Sequence, residues 1–406
     1  MIFLWVRAKR DLPKIKLVVN RYLKNWNVVL KTLKTRSFLK KEFPFDFSKY
    51  NIVILGSEDN LLYNELKDFK NPLFGVNFVN SKQVRREKVS NLFKVFEYIR
   101  SEMRNSFVFE NDYFLAKGES NIYKFFPPDL DAYFLYPQHA ENLKNVLNLN
   151  FEFPYYSLIY REGLVEKIYM GKGNFLEILK PDEGEIKVLS KISSAFDSIS
   201  VNWDKTVERN SKIIENLEKE VIDFLYPYKD EKVVIPLSGG KDSEVVLSIS
   251  AKVFKKENLR AVYIDTGFDF KENRESVLEL CEHLKVKLDI VELRLDLIGE
   301  PDRSRWCTKK KTEAIYKKLF EYGSKILIAG DRDGESFKRR RRPRKKLMHG
   351  ILHLYPIKFW SMAFVQLYIE LNNLPINPLY LIGFWRTGCK NCPFLTQWER
   401  ILKEIK

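Results

Sequence analysis

The segment Ser238-Gly239-Gly240-Lys241-Asp242-Ser243 constrains this chain more than any other. It stands between a buried-type apolar run, Val233-Val234-Ile235-Pro236-Leu237, and a helical pattern running from about Asp242 to Phe254. A strand that turns through two glycines into a helix brings turn amides and a helix N-terminus to one place, which makes a cradle for a phosphate or pyrophosphate. Ser238 and Ser243 can donate to phosphate oxygens, Lys241 adds a point charge, and Asp242 is a candidate for organising magnesium. This is not a Walker loop, because the G-x-x-x-x-G-K-S/T spacing is absent. A Gly-Gly turn can be purely structural, but the serines, lysine and acid around this one argue for a ligand.

The texture beyond the loop alternates strand and helix. Strands are expected at Leu259–Ile264, Leu288–Val291 and Lys325–Ala329, with helices at about Glu272–Leu284 and Lys309–Tyr322. Strands separated by helices of that length imply a parallel sheet with helices on both faces and a ligand at the carboxyl ends of the strands. The fold class expected is therefore α/β, a doubly wound parallel sheet in the C-terminal half, with an N-terminal α+β region. The expected organisation is an α/β region over 1–105, a small mostly β domain over 106–200, a helical connector over 201–228 and the sheet domain over 229–406.

The first half is read from weaker signals. Ile2-Phe3-Leu4-Trp5-Val6 and Asn51-Ile52-Val53-Ile54-Leu55-Gly56 are strand-like. Leu17, Val18, Leu23, Val29, Leu30 and Leu33 recur at helical spacing and predict one amphipathic helix with a basic outer face. Phe107-Val108-Phe109, Ala132–Tyr136 and Tyr155–Tyr160 predict short strands. Basic residues among these aromatics would suit RNA, or the region is structural or dimerising. Val207, Ile213, Ile214, Leu217, Val221 and Ile222 predict a helix over about Trp203–Phe224.

Composition narrows the partners. Seventy Lys+Arg against 54 Asp+Glu leave a net charge of +16, which favours a polyanion, with nucleic acid before a membrane surface. At 45% hydrophobic residues the chain can build packed cores. Four cysteines are too few for a disulfide scaffold, and the apolar start is cut short by Arg7, Lys9 and Arg10, too soon for a signal segment. No apolar stretch approaches the eighteen or so residues a membrane helix needs. These features set the expectation of a cytoplasmic protein.

The loop resembles the pyrophosphate (PP) loop of the ATP pyrophosphatases, the adenine nucleotide alpha hydrolases. The segment from about Lys232 to Phe394 resembles their phosphoadenosine phosphosulfate (PAPS) reductase-like branch. The likeness is carried by Tyr263-Ile264-Asp265-Thr266-Gly267, Arg305-Trp306-Cys307-Thr308, Gly330-Asp331-Arg332-Asp333-Gly334-Glu335-Ser336, Pro356–Trp360, Asn377-Pro378-Leu379-Tyr380 and Gly388-Cys389-Lys390-Asn391-Cys392-Pro393-Phe394. It implies an adenine nucleotide, ATP with Mg2+, at Ser238, Gly239, Gly240, Lys241, Asp242 and Ser243, with Asp265, Thr266 and Gly267 near the adenosine. Arg332, Glu335 and Ser336 would face the substrate end of the cleft. The fold implied is that of the superfamily.

Departures from the branch decide between activities. Reductases acting on PAPS or adenosine phosphosulfate generally carry an altered loop, whereas this one keeps the form resembling ATP users. They also use a cysteine near a mobile C-terminus, and no cysteine follows Cys392 before Lys406. Their iron–sulfur forms have an adjacent cysteine pair, and Cys307 stands alone. Cys281 shares a helical face with Val277 and Leu284 and is expected in the core. Cys307, Cys389 and Cys392 could hold a 4Fe–4S cluster with one open iron, or zinc with a further ligand, or Cys389 and Cys392 could act as a dithiol. Lys338–Lys346 holds eight basic residues in nine and flanks the presumed cleft, as either a phosphate-binding patch or a solvated run.

The activity expected is ATP-dependent adenylation of a substrate, such as tRNA, followed by sulfur transfer from an unidentified donor. Lys241 and Asp242 would serve the first step, and Cys389 and Cys392 the second. The alternative is sulfonucleotide reduction. A third reading is an RNA-binding or DNA-modification partner that binds ATP without turning it over.

Overall fold

In the computed structural model, which describes residues 1–38, 42–67, 69, 71–117, 120–190 and 199–405, the chain begins with a four-stranded parallel sheet. Its elements are β1 (Ile2–Val6), α1 (Leu12–Tyr22), β2 (Val28–Thr32), β3 (Tyr50–Gly56), α2 (Asn60–Leu66), β4 (Phe74–Val79) and α3 (Val89–Asn105), with strand order β2-β1-β3-β4. The strands expected at Ile2–Val6 and Asn51–Gly56 are present. The single helix expected through Leu33 is not. α1 stops at Tyr22, Asn25 takes a φ of 72°, and Val28-Val29-Leu30 pair with Ile2-Phe3-Leu4 of β1. Asparagine tolerates the left-handed turn, and two successive valines suit a strand better than a helix.

The middle of the chain is antiparallel. β5 (Phe107–Glu110) and β6 (Tyr113–Ala116) form a hairpin. β7 (Asp131–Phe134), α4 (Pro137–Val146), β8 (Leu158–Glu162), β9 (Val165–Gly171), β10 (Asn174–Leu179) and β11 (Lys187–Val188) follow, and the strands order as β11-β10-β9-β8-β7. Lys172 and Gly173 turn β9 into β10 with φ of 47° and 77°, the two positive angles a tight hairpin requires. Register places Asp131 opposite Arg161, and Arg161 opposite Glu166. The apolar residues of that same face, Tyr133, Ile159, Ile168, Leu176 and Ile178, pack against Leu379, Phe384 and Trp398 near the C-terminus.

α5 (Trp203–Leu225) leads into the second parallel sheet. Its elements are β12 (Val233–Leu237), α6 (Lys241–Ala251), β13 (Leu259–Asp265), α7 (Lys271–His283), β14 (Leu288–Glu292), α8 (Trp306–Glu321), β15 (Ile326–Ile328), α9 (Phe337–Arg340), β16 (Lys345–Met348) and β17 (Ile351–Leu354). α10 (Met362–Leu371), α11 (Pro378–Leu381) and α12 (Gln397–Ile405) complete it. The order is β14-β13-β12-β15-β17-β16, with only β16 antiparallel. Alternate strand residues take opposite faces. Val234, Val262, Ile264 and Leu327 meet Leu319 of α8, whereas Val233, Ile235, Ala261, Tyr263 and Ile328 join Val245, Leu247 and Ile249 of α6 on the other side. Burial on both faces is why these strands read as continuous apolar runs. The fold is thus α/β with a parallel, doubly wound core in the C-terminal half.

The apolar core does not stop at the sheet. One cluster of buried residues runs from Ile2 and Leu4 through Phe96, Phe107, Phe134 and Leu217 to Ile235, Trp360 and Tyr368. Strand order reverses between β12 and β15, so the loops after these two strands face each other at the crevice where such sheets bind ligands. Among the described residues no helix is long and apolar enough to cross a membrane.

Candidate active site at the phosphate loop

The loop leaves β12 at Leu237 and enters α6 at Lys241. Gly239 takes a φ of 69°, and a Cβ there would lie 2.5 Å from the Asn273 Cα, so a glycine is required twice over. Gly240 is the N-cap of α6, and no side chain caps it. Its carbonyl accepts from the Ser243 and Glu244 amides and from Ser243 Oγ at 2.7 Å, which spends the Ser243 hydroxyl within the loop. Two asparagines brace the turn. Asn377 Nδ2 donates to the Gly239 carbonyl at 2.7 Å and to Asn273 Oδ1 at 3.0 Å. Ser238 is exposed.

Lys241 is buried, with its Nζ 3.3 Å from Asp242 Oδ2 and over the rings of Tyr380 (4.6 Å) and Trp385 (5.7 Å). Burial works against its charge, but Asp242, Tyr380 and Glu335 together outweigh this and raise its pKa. The other oxygen of Asp242 accepts from Arg332 Nε at 2.7 Å. Burial alone would raise the Asp242 pKa, yet Arg332 and Lys241 together hold it below the usual carboxylate range. Both oxygens are therefore taken by protein cations. Among the described residues no group of three or more His, Cys, Asp or Glu is arranged to hold a metal ion. Asp242, the carboxylate expected to organise magnesium, is paired with Lys241 and Arg332.

Arg332 lies beyond β15 and is fully buried at 0% exposure. Its Nη1 donates to Asp131 Oδ2 at 2.8 Å, and its backbone amide donates to Glu335 Oε2 at 2.7 Å. Burial pushes the Glu335 carboxyl upward. Ser336 caps α9, accepting from the Arg339 amide at 3.3 Å. The residues expected at the substrate end, Arg332, Glu335 and Ser336, thus form one local unit, and only Arg332 touches the phosphate loop.

Asp265, Thr266 and Gly267 close β13. Gly267 has a φ of 80° and its amide donates to Asp265 Oδ1 at 3.0 Å. Thr266 donates through N and Oγ1 to Asp269 Oδ2, at 3.1 and 2.7 Å. The cysteine turn docks on this loop: Asp269 bridges to Cys389, and the Lys390 amide donates to the Phe268 carbonyl at 2.8 Å. Cys389 is buried, with Cys307 and Cys392 half-buried in the same small cluster with Phe268, Leu293, Leu295 and Trp306. Burial pushes the Cys389 thiol up to about 11, and its Sγ donates to Asp269 Oδ1 at 3.9 Å. Lys311 reaches the same oxygen at 3.2 Å. The three thiols lie in one small cluster, and among the described residues no group of three or more His, Cys, Asp or Glu is arranged to hold a metal ion. Cys281 lies in the core as expected, its thiol raised to about 12 by burial.

Two arginines of the basic run, Arg340 and Arg344, are turned inward. Arg340 pairs with Glu97 of α3 at 3.3 Å, and Arg344 pairs with both oxygens of Glu220 of α5 at 2.5 and 2.7 Å. Arg339 pairs with Glu335 and Asp331, and Arg342 with Asp331. Arg340 and Arg344 thus tie the substrate-side loop to α3 and α5, whereas Lys338, Arg341, Lys345 and Lys346 are exposed. Sequence reasoning missed Asp131, Asp269, Asn273, Lys311 and Trp385. Asn377 stood in a motif that carried the family likeness but without a role.

Residues 232–395 match the family described as the phosphoadenosine phosphosulfate reductase domain. An uncharacterised protein of Methanocaldococcus jannaschii is 31% identical over 247 residues, covering 53% of this chain and 51% of that one. The chain spans about half the length of this relative, and 59% of a second one from the same organism. The adenosine 5'-phosphosulfate reductase of Lysinibacillus sphaericus is 26% identical over 186 residues, 43% of this chain and 78% of the reductase. Among solved structures, a tRNA thiolase of Methanococcus maripaludis with its 4Fe–4S cluster is 16% identical over 53% of this chain and 80% of that one, at a TM-score of 0.36. Residues 232–395, with the phosphate loop at their start, are thus similar to the phosphoadenosine phosphosulfate reductase domain.

Proposed function

We propose that this protein is an ATP-dependent adenylating enzyme that exchanges an oxygen of its substrate for sulfur, the substrate being an RNA such as tRNA. The supporting observation is a single residue, Asn273. Its backbone seats Gly239 of the phosphate loop, and its side-chain amide donates to the Gly388 carbonyl, beside Cys389, at 3.0 Å. The place where a nucleotide would be held and the place where sulfur would be carried are therefore braced by one residue.

The glycine turn and α6 N-terminus would hold the β- and γ-phosphates, with Lys241 adding charge. Magnesium bound with the nucleotide supplies charge neutralisation on the phosphates. A substrate oxygen attacks the α-phosphorus, the bond to the β-phosphate breaks, and pyrophosphate leaves. The terminal sulfur of a persulfide on Cys389 or Cys392 then attacks the adenylated carbon, and AMP departs with the original oxygen. The second thiol of the pair attacks the resulting disulfide, freeing the thiolated product and leaving Cys389 and Cys392 oxidised to a disulfide, which an external thiol re-reduces. The +16 charge of the chain favours a polyanionic acceptor.

Named relatives favour a second reading, reduction of a sulfonucleotide. Parallel incubations separate the two. AMP and pyrophosphate from ATP and magnesium support adenylation. Sulfite and AMP from adenosine phosphosulfate with a thiol, and no ATP consumption, support reduction. Tight ATP binding with neither product supports the non-enzymatic reading.

A further inference from the structure

The arginine that contacts the phosphate loop is held by a residue from outside the family segment. Asp131 opens β7, a strand of the antiparallel sheet, and is 0% exposed. Its two carboxylate oxygens do different work. Oδ1 accepts from the Met362 amide at the start of α10, at 3.0 Å, and Oδ2 accepts from Arg332 Nη1 at 2.8 Å. Arg332 Nε in turn meets Asp242 at 2.7 Å. The guanidinium is thereby fixed by acids at two of its nitrogens, while its buried Nη2 has no hydrogen-bond partner among the described residues. A buried charged donor without an acceptor is costly, and beside a phosphate-type loop an oxyanion is one partner that would satisfy it. The backbone is built around this contact, since a Cβ on Gly334 would lie 2.6 Å from the Asp131 Cγ.

We infer that Asp131 is a positioning residue for the nucleotide site, holding Arg332 so that its free nitrogen meets an oxyanion of a bound adenine nucleotide. The antiparallel sheet is then part of the nucleotide site. This rests on the site proposed above, but not on the reaction proposed there.

Asp131→Asn separates positioning from architecture. The amide oxygen can still accept from Met362, while the amide nitrogen offers Arg332 a second donor in place of an acceptor. Binding of ATP with magnesium, and in parallel of adenosine phosphosulfate, is measured calorimetrically on the full chain for wild type, Asp131→Asn, Arg332→Ala and the double variant. Asp131→Asn is expected to weaken nucleotide binding about tenfold, in keeping with loss of one charged hydrogen bond, and to change it less than about twofold once Arg332 is gone. Its thermal midpoint should stay within a few degrees of wild type. Should it fail to fold, Asp131→Ser keeps a hydroxyl for Met362 and carries the same expectation. Unchanged affinity in the single variant, or an equal loss in both backgrounds, overturns the inference. A wild type that binds ATP without forming pyrophosphate overturns the proposed reaction alone. A wild type that binds neither nucleotide overturns both.

Discussion

The chain contains two parallel sheets built on similar plans, and only one has a site of this kind. In each, the first strand runs into a helical segment near the sheet centre, where neighbouring loops converge. After β1 the chain continues through Arg7 and Ala8, and Arg7 is buried between two acids, Glu58 at 3.0 Å and Asp59. After β12 it continues through Gly239 and Gly240 to Lys241, where two cations, Lys241 and Arg332, share Asp242. Ala8 has ordinary extended backbone at φ −124°, whereas Gly239 sits at 69°. Topology supplies the crevice in both sheets. The positive-φ glycine turn, with two cations gathered around it, distinguishes the one that can take a phosphate.

This comparison can be broken in order of expected effect. Lys241→Ala and Asp242→Asn should abolish pyrophosphate formation, by about a thousandfold or more, with far-ultraviolet circular dichroism unchanged, because charge stabilisation is the loop's main contribution. Normal pyrophosphate release from both would remove the loop from the mechanism. Gly239→Ala should weaken ATP binding about a hundredfold through its clash with Asn273, while Ala8→Gly at the matching place in the first sheet should leave binding unaltered. Equal effects at the two positions would mean the turn is not what distinguishes the sheets.

Downstream of adenylation, Cys389→Ala should stop sulfur transfer and leave pyrophosphate release within about twofold of wild type. Because burial holds the Cys389 thiol near 11, a step that needs its thiolate should speed up roughly tenfold per pH unit below that value. A flat profile between neutral pH and 10 would assign the nucleophile elsewhere. Anaerobic purification with iron and sulfide analysis checks the thiol arrangement, and a colourless, iron-free protein is expected.

The smallest effects are on stability alone. Arg7→Ala leaves Asp59 buried without its partner and should cost about 3 kcal/mol in denaturant unfolding, with ATP turnover per folded molecule unchanged. Cys281→Ala should cost about 1 kcal/mol, again without effect on turnover.

How far the sequence foretold this depends on the range of the interactions involved. β12 to β15 and their helices were legible because each is a local pattern: apolar runs buried on both faces, punctuated by Gly and by a 3.6-residue period. The Val28–Leu30 strand was not, since its spacing from Val18 and Leu23 also satisfies a helix, and pairing with β1 decided the matter. The arginines of 338–346 could be counted but not directed. Their partners Glu97 and Glu220 lie more than 100 residues away in sequence, at 243 and 124 positions from Arg340 and Arg344. Asp131 carried no signal at all, being one acid at the head of an apolar strand. Cys389 and Cys392 could be picked out from their spacing, and their docking on Phe268 and Asp269 became visible only in three dimensions.

The most direct test of the account is to follow α-labelled ATP through single turnovers of wild type and Lys241→Ala. The account predicts AMP-containing products and one pyrophosphate per ATP in wild type and neither in the variant. ATP left intact by wild type, while adenosine phosphosulfate is consumed to sulfite and AMP, would contradict it.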